Sequence, residues 1–367
     1  MKKSCIEKNG NIEFLRFFFC LIILFFHMEK YVLGEIPLDG TLKYRFFLHG
    51  SIGVEFFFLL SGLLLARHVD NIRKKKTKES VGEETSKYVV KKYKSIFPYH
   101  IIGFIIIFIL SILVNKYTVT ESFMALIDSI PGILLIQMTG FMGTVFNHIE
   151  WYLSSMLIGI AVIYPFLRKY YDTFVKYIAP LVALLILGYL YFETGKLTGV
   201  MKWMVIGYKG TIRGVAELLL GIFGYYLGTE LSKLKKLPKK FKAIITLIEF
   251  LLYVSIIIFC VISFTSRYEF YALLAIFVLL IISYSGITYS IKVFNNKFIY
   301  FLGRLSLPIY VTQLSSIIFV NNYLINYSNE VKMIFVFVIT IVLALITMVV
   351  GDILKKRIDK IDLKKYC

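Results

Sequence analysis

The chain has 367 residues, of which 58% are hydrophobic and 18% charged, and a formal net charge of +19; its mean hydropathy is +0.75. Soluble domains average roughly 45–50% apolar and about 25% charged residues, so a soluble enzyme, a coiled coil, a disordered chain and an ordinary nucleic-acid binder are excluded. What is left is a polytopic membrane protein whose basic excess marks the loops on its cytoplasmic side.

A bilayer is crossed by about 20 mostly apolar residues. Ten such runs are predicted, at 12–31, 46–67, 95–115, 149–167, 178–193, 212–229, 243–264, 270–288, 298–320 and 332–354. The expected fold is an all-α integral membrane protein of about ten transmembrane helices, with both termini cytoplasmic. Residues 1–367 are read as one transmembrane domain, because the longest polar stretch, 68–94, is too short for a domain of its own.

The first run, NIEFLRFFFCLIILFFH, lacks the small-residue exit site of a cleavable signal peptide and reads as a span. It holds Arg16 and His27, whose spacing puts both on one helix face, about 16 Å apart along the axis. An ionisable residue inside a span is a functional hypothesis by default, against the alternative that each snorkels to its own interface. Glu13 is placed to pair with Arg16 at i,i+3. The second run, HGSIGVEFFFLLSGLLLA, buries Glu55 in its outer half, beside His27 on the antiparallel first span. A Glu55–His27 pair would orient a general base, or else simply tie two helices together. Gly50, Gly53, Ser61 and Gly62 permit close helix approach.

The loop that follows is rich in cations, from Arg73-Lys74-Lys75-Lys76 through Lys87, Lys91, Lys92 and Lys94. The stretch 122–142 is broken by Pro131-Gly132 and reads as interfacial or re-entrant. His148 and Trp151 open the fourth run, where Trp151 serves as a belt anchor or as a stacking platform for a sugar. Arg213 and Glu217 form an i,i+4 pair, structural or acceptor-binding. Glu249 reads as a buried helix–helix partner. Pro308 is set to kink the ninth run between Arg304 and Tyr310. His49 and His100 read as interfacial.

With the N-terminus placed inside, the inner segments hold Lys2, Lys3 and Lys8, the loop after span 2, Arg168-Lys169-Lys176, Lys233 through Lys242, Lys292, Lys297 and the basic tail from Lys355 to Lys365. The outer loops hold few, such as Lys43, Lys116, Lys196, Lys202, Lys209 and Arg267, a roughly threefold asymmetry. Cys5, Cys20, Cys260 and Cys367 lie far apart with no metal-ligand spacing, so neither a disulfide framework nor a metal site is expected.

Arg16-x10-His27 followed by G-V-E-F-F-F-L-L-S-G (53–62) resembles the membrane acyltransferase 3 family. HIEWYLSSMLIGIAVIYPFL (148–167), TIRGVAELLLGIFGYYLG (211–228) and FLGRLSLPIYVTQ (301–313) are similar to later segments of that family, in order. The resemblance implies a stand-alone acyltransferase in the bacterial cytoplasmic membrane. It would move an acyl group, with acetyl favoured, from cytoplasmic acyl-coenzyme A to a hydroxyl of an envelope glycan. The acyl-coenzyme A is a donor substrate rather than a resident cofactor. His27 would be the base, Arg16 the other half of its motif, and Glu55 would stand where many members have Asp. In KKYKSIFP (91–98), Lys91 and Lys92 replace the arginines of a family run, and Ser95 stands at a third. Their charge, with that of Lys94, suits phosphate, but lysine lacks the bidentate fork of arginine. Gln313 stands where members often have His, which argues against a proton relay there. Ser61, His148, Trp151, Arg213, Glu217 and Tyr310 complete the expected donor- or acceptor-binding set. The rival from another class is a proton-coupled transporter or flippase of a lipid-linked sugar, which would use the same buried charges.

Overall fold

The computed structural model describes residues 9–33, 46–75, 79–141, 143–234, 237–262 and 266–364. Lys2, Lys3, Lys8, Lys43, Lys76, Lys235, Lys236 and Lys365, together with Cys5 and Cys367, lie outside the described residues. Cys20 and Cys260 are buried free thiols.

Among the described residues, ten helices overlap the ten predicted runs. They are α1 (Gly10–Val32), α2 (Gly53–Arg73), α3 (Val81–Asn115), α4 (Trp151–Lys169), α5 (Ala179–Thr194), α6 (Lys209–Ser232), α7 (Lys239–Val261), α8 (Glu269–Ser285), α9 (Lys297–Tyr323) and α10 (Asn329–Lys364). Among the described residues, eight helices are long and apolar enough to cross a membrane. α5 is in that set together with the helical turns before it, as Tyr171–Thr194; the two outside it are α8, which has 17 residues, and α6, which begins with Lys209, Arg213 and Glu217. The expected all-α membrane class therefore holds, and α6 belongs to it by packing rather than by apolarity.

The 122–142 stretch is no span. It folds as a ten-residue helix, Val119–Asp128, followed by single turns at Ile130–Ile133 and Gln137–Thr139. The Val119–Asp128 helix opens with a capping box in which Glu121 accepts from the Thr118 N–H and hydroxyl. That N–H holds the Glu121 carboxyl below its usual range. The helix buries none of its residues, and Val119, Phe123 and Met124 are exposed, as expected of an element lying at a lipid surface.

Polar caps fix the ends of the bundle. Asn9 caps α1 and donates through Nδ2 to the Ser283 and Tyr284 carbonyls at the end of α8. The start of α1, the end of α2 and the end of α8 thus share one end of the bundle, called here the Arg16 end. The end of α1 and the starts of α2 and α4 share the other, the His27 end.

At the centre, α2 and α6 touch backbone to backbone. A Cβ placed on Gly62 would lie 2.0 Å from the Leu218 carbonyl oxygen, and one on Gly221 would lie 2.0 Å from that of Leu59. Glycine on both helices is what lets the two axes come this close, since lipid supplies no hydrophobic drive for association. Gly62→Ala is expected to cost on the order of 3 kcal/mol, the upper range for overpacked sites. It should lower the unfolding temperature in detergent. Gly188→Ala, where nothing lies within 4 Å, should leave that temperature unchanged.

Candidate active site

Two cavities lie back to back in the bundle. The first, about 400 Å³, opens at the Arg16 end and is lined by Glu13, Arg16, Ser61, Arg67, Lys92 and Tyr152, among others. The second, about 460 Å³, lies at the His27 end against His27, Lys30, His148, Trp151, Lys202 and Arg213. Ile23, Val54 and Tyr310 line both, so three side chains form the wall between them. The single face of α1 predicted to carry Arg16 and His27 therefore serves two chambers.

In the first cavity, Arg16 Nη1 pairs with Glu13 Oε2 at 3.0 Å, the expected i,i+3 contact. Arg67 and Lys92 make no ion pair among the described residues; the Lys92 ammonium stands 5.6 Å from the Tyr88 ring centre. Lys91 and Lys94 line neither cavity, so of the basic run only Lys92 reaches the site. Arg67 was not singled out in the sequence, because a cation at the end of an apolar run reads as a flanking charge. Ser61 donates to the Phe57 carbonyl at 2.7 Å and lies 3.1 Å from the Tyr152 hydroxyl, which ties α2 to α4.

The expected Glu55–His27 pair is not formed. Glu55 faces α6, where its Oε1 lies 3.4 Å from Arg213 Nη1, and Arg213 Nε lies 3.1 Å from Glu217 Oε1. The three side chains are at most 2% exposed. The cause is the glycine contact, which turns the outer part of α2 toward α6 rather than α1 and offers Glu55 a fixed cation. Glu55 and Glu217 line neither cavity. Arg213 does, with Trp151 stacked on its guanidinium at 5.1 Å.

His27 is instead oriented by Gln313. His27 Nδ1 lies 3.2 Å from Gln313 Oε1, while Gln313 Nε2 donates to the Tyr310 carbonyl at 3.1 Å. That second bond fixes the amide, because only its nitrogen can donate to a carbonyl. The oxygen must then face His27, so Nδ1 carries the proton and Nε2 keeps the lone pair. A residue that looked like a departure from the family pattern is the one that sets the tautomer. Tyr31, one turn on, bridges to His148 Nε2 at 2.8 Å. The Tyr310 hydroxyl donates to the Ile149 carbonyl.

The far wall is the loop joining α5 to α6, and buried charges hold it. Glu269 accepts from the Leu197 and Thr198 N–H groups at 2.5 and 3.1 Å. Lys209, 1% exposed, donates to the Lys196 and Thr198 carbonyls at 2.7 and 2.6 Å and to Thr194 Oγ1 at 2.9 Å. Arg213 adds a bond to the Leu197 carbonyl at 3.2 Å. The sequence placed Lys209 in an outer loop, with no signal of burial. His100, expected at an interface, is buried against Glu150 at 2.7 Å. Glu249 is the expected helix partner, accepting from Ser283 and Ser290.

The fold and this site describe a polytopic membrane protein with two cavities, largely apolar but each carrying a few charged side chains, on either side of a thin wall. A family model described as an acyltransferase domain matches residues 9–351, and the chain belongs to that family of membrane acyltransferases. No curated protein and no solved structure matches the chain.

Removing one partner from a buried ion pair costs about 3–5 kcal/mol, because the other charge is left bare. Arg213→Met should therefore lose most of its folded yield, read as the monodisperse peak in size-exclusion chromatography. Adding Glu55→Gln and Glu217→Gln to that variant should restore much of it. Equal yields for the single and triple variants would show that the cluster is not a charge-balanced unit.

Proposed function

We propose that the protein transfers an acyl group, acetyl in the favoured case, from acyl-coenzyme A to a hydroxyl of an envelope glycan. The observation that carries the reading is the pairing of the two chambers. One is lined by Arg16, Arg67 and Lys92, and the other holds a histidine whose tautomer leaves Nε2 basic.

Coenzyme A phosphates cannot enter hydrocarbon, so they stay at the mouth of the first chamber among its cations. The excess of cations on that side supports a mouth that faces the cytoplasm, with both termini on the same side, and in this reading the membrane is the bacterial cytoplasmic membrane. The pantetheine arm extends along the first chamber toward the wall of Ile23, Val54 and Tyr310. The acceptor enters the second chamber from outside. His27 Nε2 removes the hydroxyl proton as the oxygen attacks the thioester carbonyl carbon. The new C–O ester bond forms, the C–S bond breaks, and the leaving thiolate takes the proton back from the imidazolium. The neutral Gln313 orients the ring without adding a charge to the chamber. Glu55 acts one step removed, by holding Arg213 and through it the loop at Leu197.

Proton transfer by a positioned side chain contributes about 10²–10⁴-fold. His27→Ala should lower transfer of labelled acetyl in membrane vesicles by at least about 10²-fold, with unchanged yield of folded protein; full activity in that variant would sink the mechanism. For the donor end, Arg67→Gln and Lys92→Gln should each raise the KM for acetyl-coenzyme A several-fold with little change in kcat. The effect should shrink at high salt, as expected of solvent-accessible charge contacts. A fall in kcat at unchanged KM would place these cations elsewhere in the reaction.

A further inference from the structure

The second chamber has an uneven charge. Among the described residues no carboxylate lines it, whereas Lys30 and Lys202 both do and both are exposed. The acids nearby are all committed elsewhere. Glu29 accepts from the Phe46 and Phe47 N–H groups at 2.9 and 2.8 Å. Glu55 and Glu217 face Arg213, Glu150 faces His100, and Glu269 holds the loop N–H groups. Arg213 is neutralised by its own partners, but no ion pair among the described residues involves Lys30 or Lys202.

The Lys30 ammonium lies over aromatic rings, and the Lys202 backbone is fixed. Lys30 lies one turn beyond His27 on α1, a rise of about 4.5 Å, with its ammonium 5.2 Å from the Tyr31 ring centre and 5.9 Å from that of Phe26. Lys202 sits where the Lys209 N–H bonds its carbonyl at 2.8 Å, on the loop that Glu269 and Lys209 pin. A hydroxyl seated at His27 therefore shares its cavity with two lysine side chains.

We propose that the acceptor is anionic, a glycan or polyol chain whose carboxylate or phosphate sits between Lys30 and Lys202 while a neighbouring hydroxyl meets His27. This rests on the acyltransferase reading for the role of His27, but the anion site itself does not. Ammonium–oxyanion contacts at a partly desolvated mouth strengthen binding and set the register of the chain, so that one hydroxyl is presented rather than another. Neutral glycans lack the second anchor.

The test uses the full-length protein in nanodiscs of zwitterionic lipid. Three fluorescent probes of matched length are compared by anisotropy: an oligogalacturonide, a poly(glycerol phosphate) oligomer and a neutral malto-oligosaccharide. At least one anionic probe should bind roughly tenfold or more tightly than the neutral one, as two charge-assisted contacts allow. The better of the two anionic probes tells carboxylate from phosphate. The preference should vanish in Lys30→Gln/Lys202→Gln and survive in Lys30→Arg/Lys202→Arg, which separates loss of charge from loss of fold. Equal binding of the three probes, or tighter binding of the neutral one, overturns the proposal. Labelled acetyl transfer, run in parallel, keeps the two claims apart. Anion-selective binding without transfer to any probe would sink the acyltransferase reading and leave the anion site. Transfer to the neutral probe alone would do the reverse.

Discussion

The contact between α2 and α6 is the constraint on which the rest depends. Two glycines let the backbones meet, and each is closed by a carbonyl of the other helix. Because that approach is fixed, Glu55 has only one cation to face, and Arg213 is drawn between Glu55 and Glu217. Arg213 then reaches the Leu197 carbonyl. A packing decision near mid-bundle is thereby transmitted through one guanidinium to the loop that walls the second cavity.

Burying such a cluster is costly, and the structure shows the cost as unmatched atoms. Among the described residues, Glu55 Oε2, Arg213 Nε and Nη2, and both Glu217 carboxylate oxygens have no hydrogen-bond partner, so the Arg213–Glu217 contact is an ion pair without a well-aligned hydrogen bond. A buried ion pair is weak ground for stability, since an apolar replacement of equal volume often does as well. Its use here is geometric. Of the Leu197–Lys202 loop only Leu197 is buried in the core, while Met201 is exposed and Gly199 stands at φ +79°, a left-handed state that glycine adopts without strain. Charged anchors at Glu269, Lys209 and Arg213 hold that backbone by its own N–H and C=O groups, which side-chain burial could not do.

The architecture was legible in the sequence wherever it depended on local apolarity. Runs of Ile, Leu and Phe locate the helices, but not all of their ends: α3 begins at Val81 rather than 95 and α10 runs to Lys364 rather than 354, because polar turns continue a helix beyond its apolar stretch; Pro131-Gly132 interrupts 122–142 as expected. The one-face placement of Arg16 and His27 follows from helical spacing alone, and both line a chamber. Partners were legible only when close in the chain, as for Glu13–Arg16 and Arg213–Glu217. Glu55 was matched to the adjacent span because sequential helices are usually neighbours, yet its partner lies 158 positions on, at Arg213. Gln313 lies 286 positions from His27, and its amide type suggested loss of a function rather than a substitute for one. Lys209 and Glu269 bond to backbone atoms, which leave no mark in a sequence.

The wall between the chambers gives these placements their meaning. Ile23, Val54 and Tyr310 come from α1, α2 and α9, so the wall stands where three helices meet. Tyr310 is held by its hydroxyl on Ile149 and by its carbonyl on Gln313, the amide that orients His27. Moving Tyr310 to open the wall would therefore disturb the bond that sets the base. The wall and the orientation of His27 are in this way coupled through one residue, Tyr310, whose two polar groups hold both.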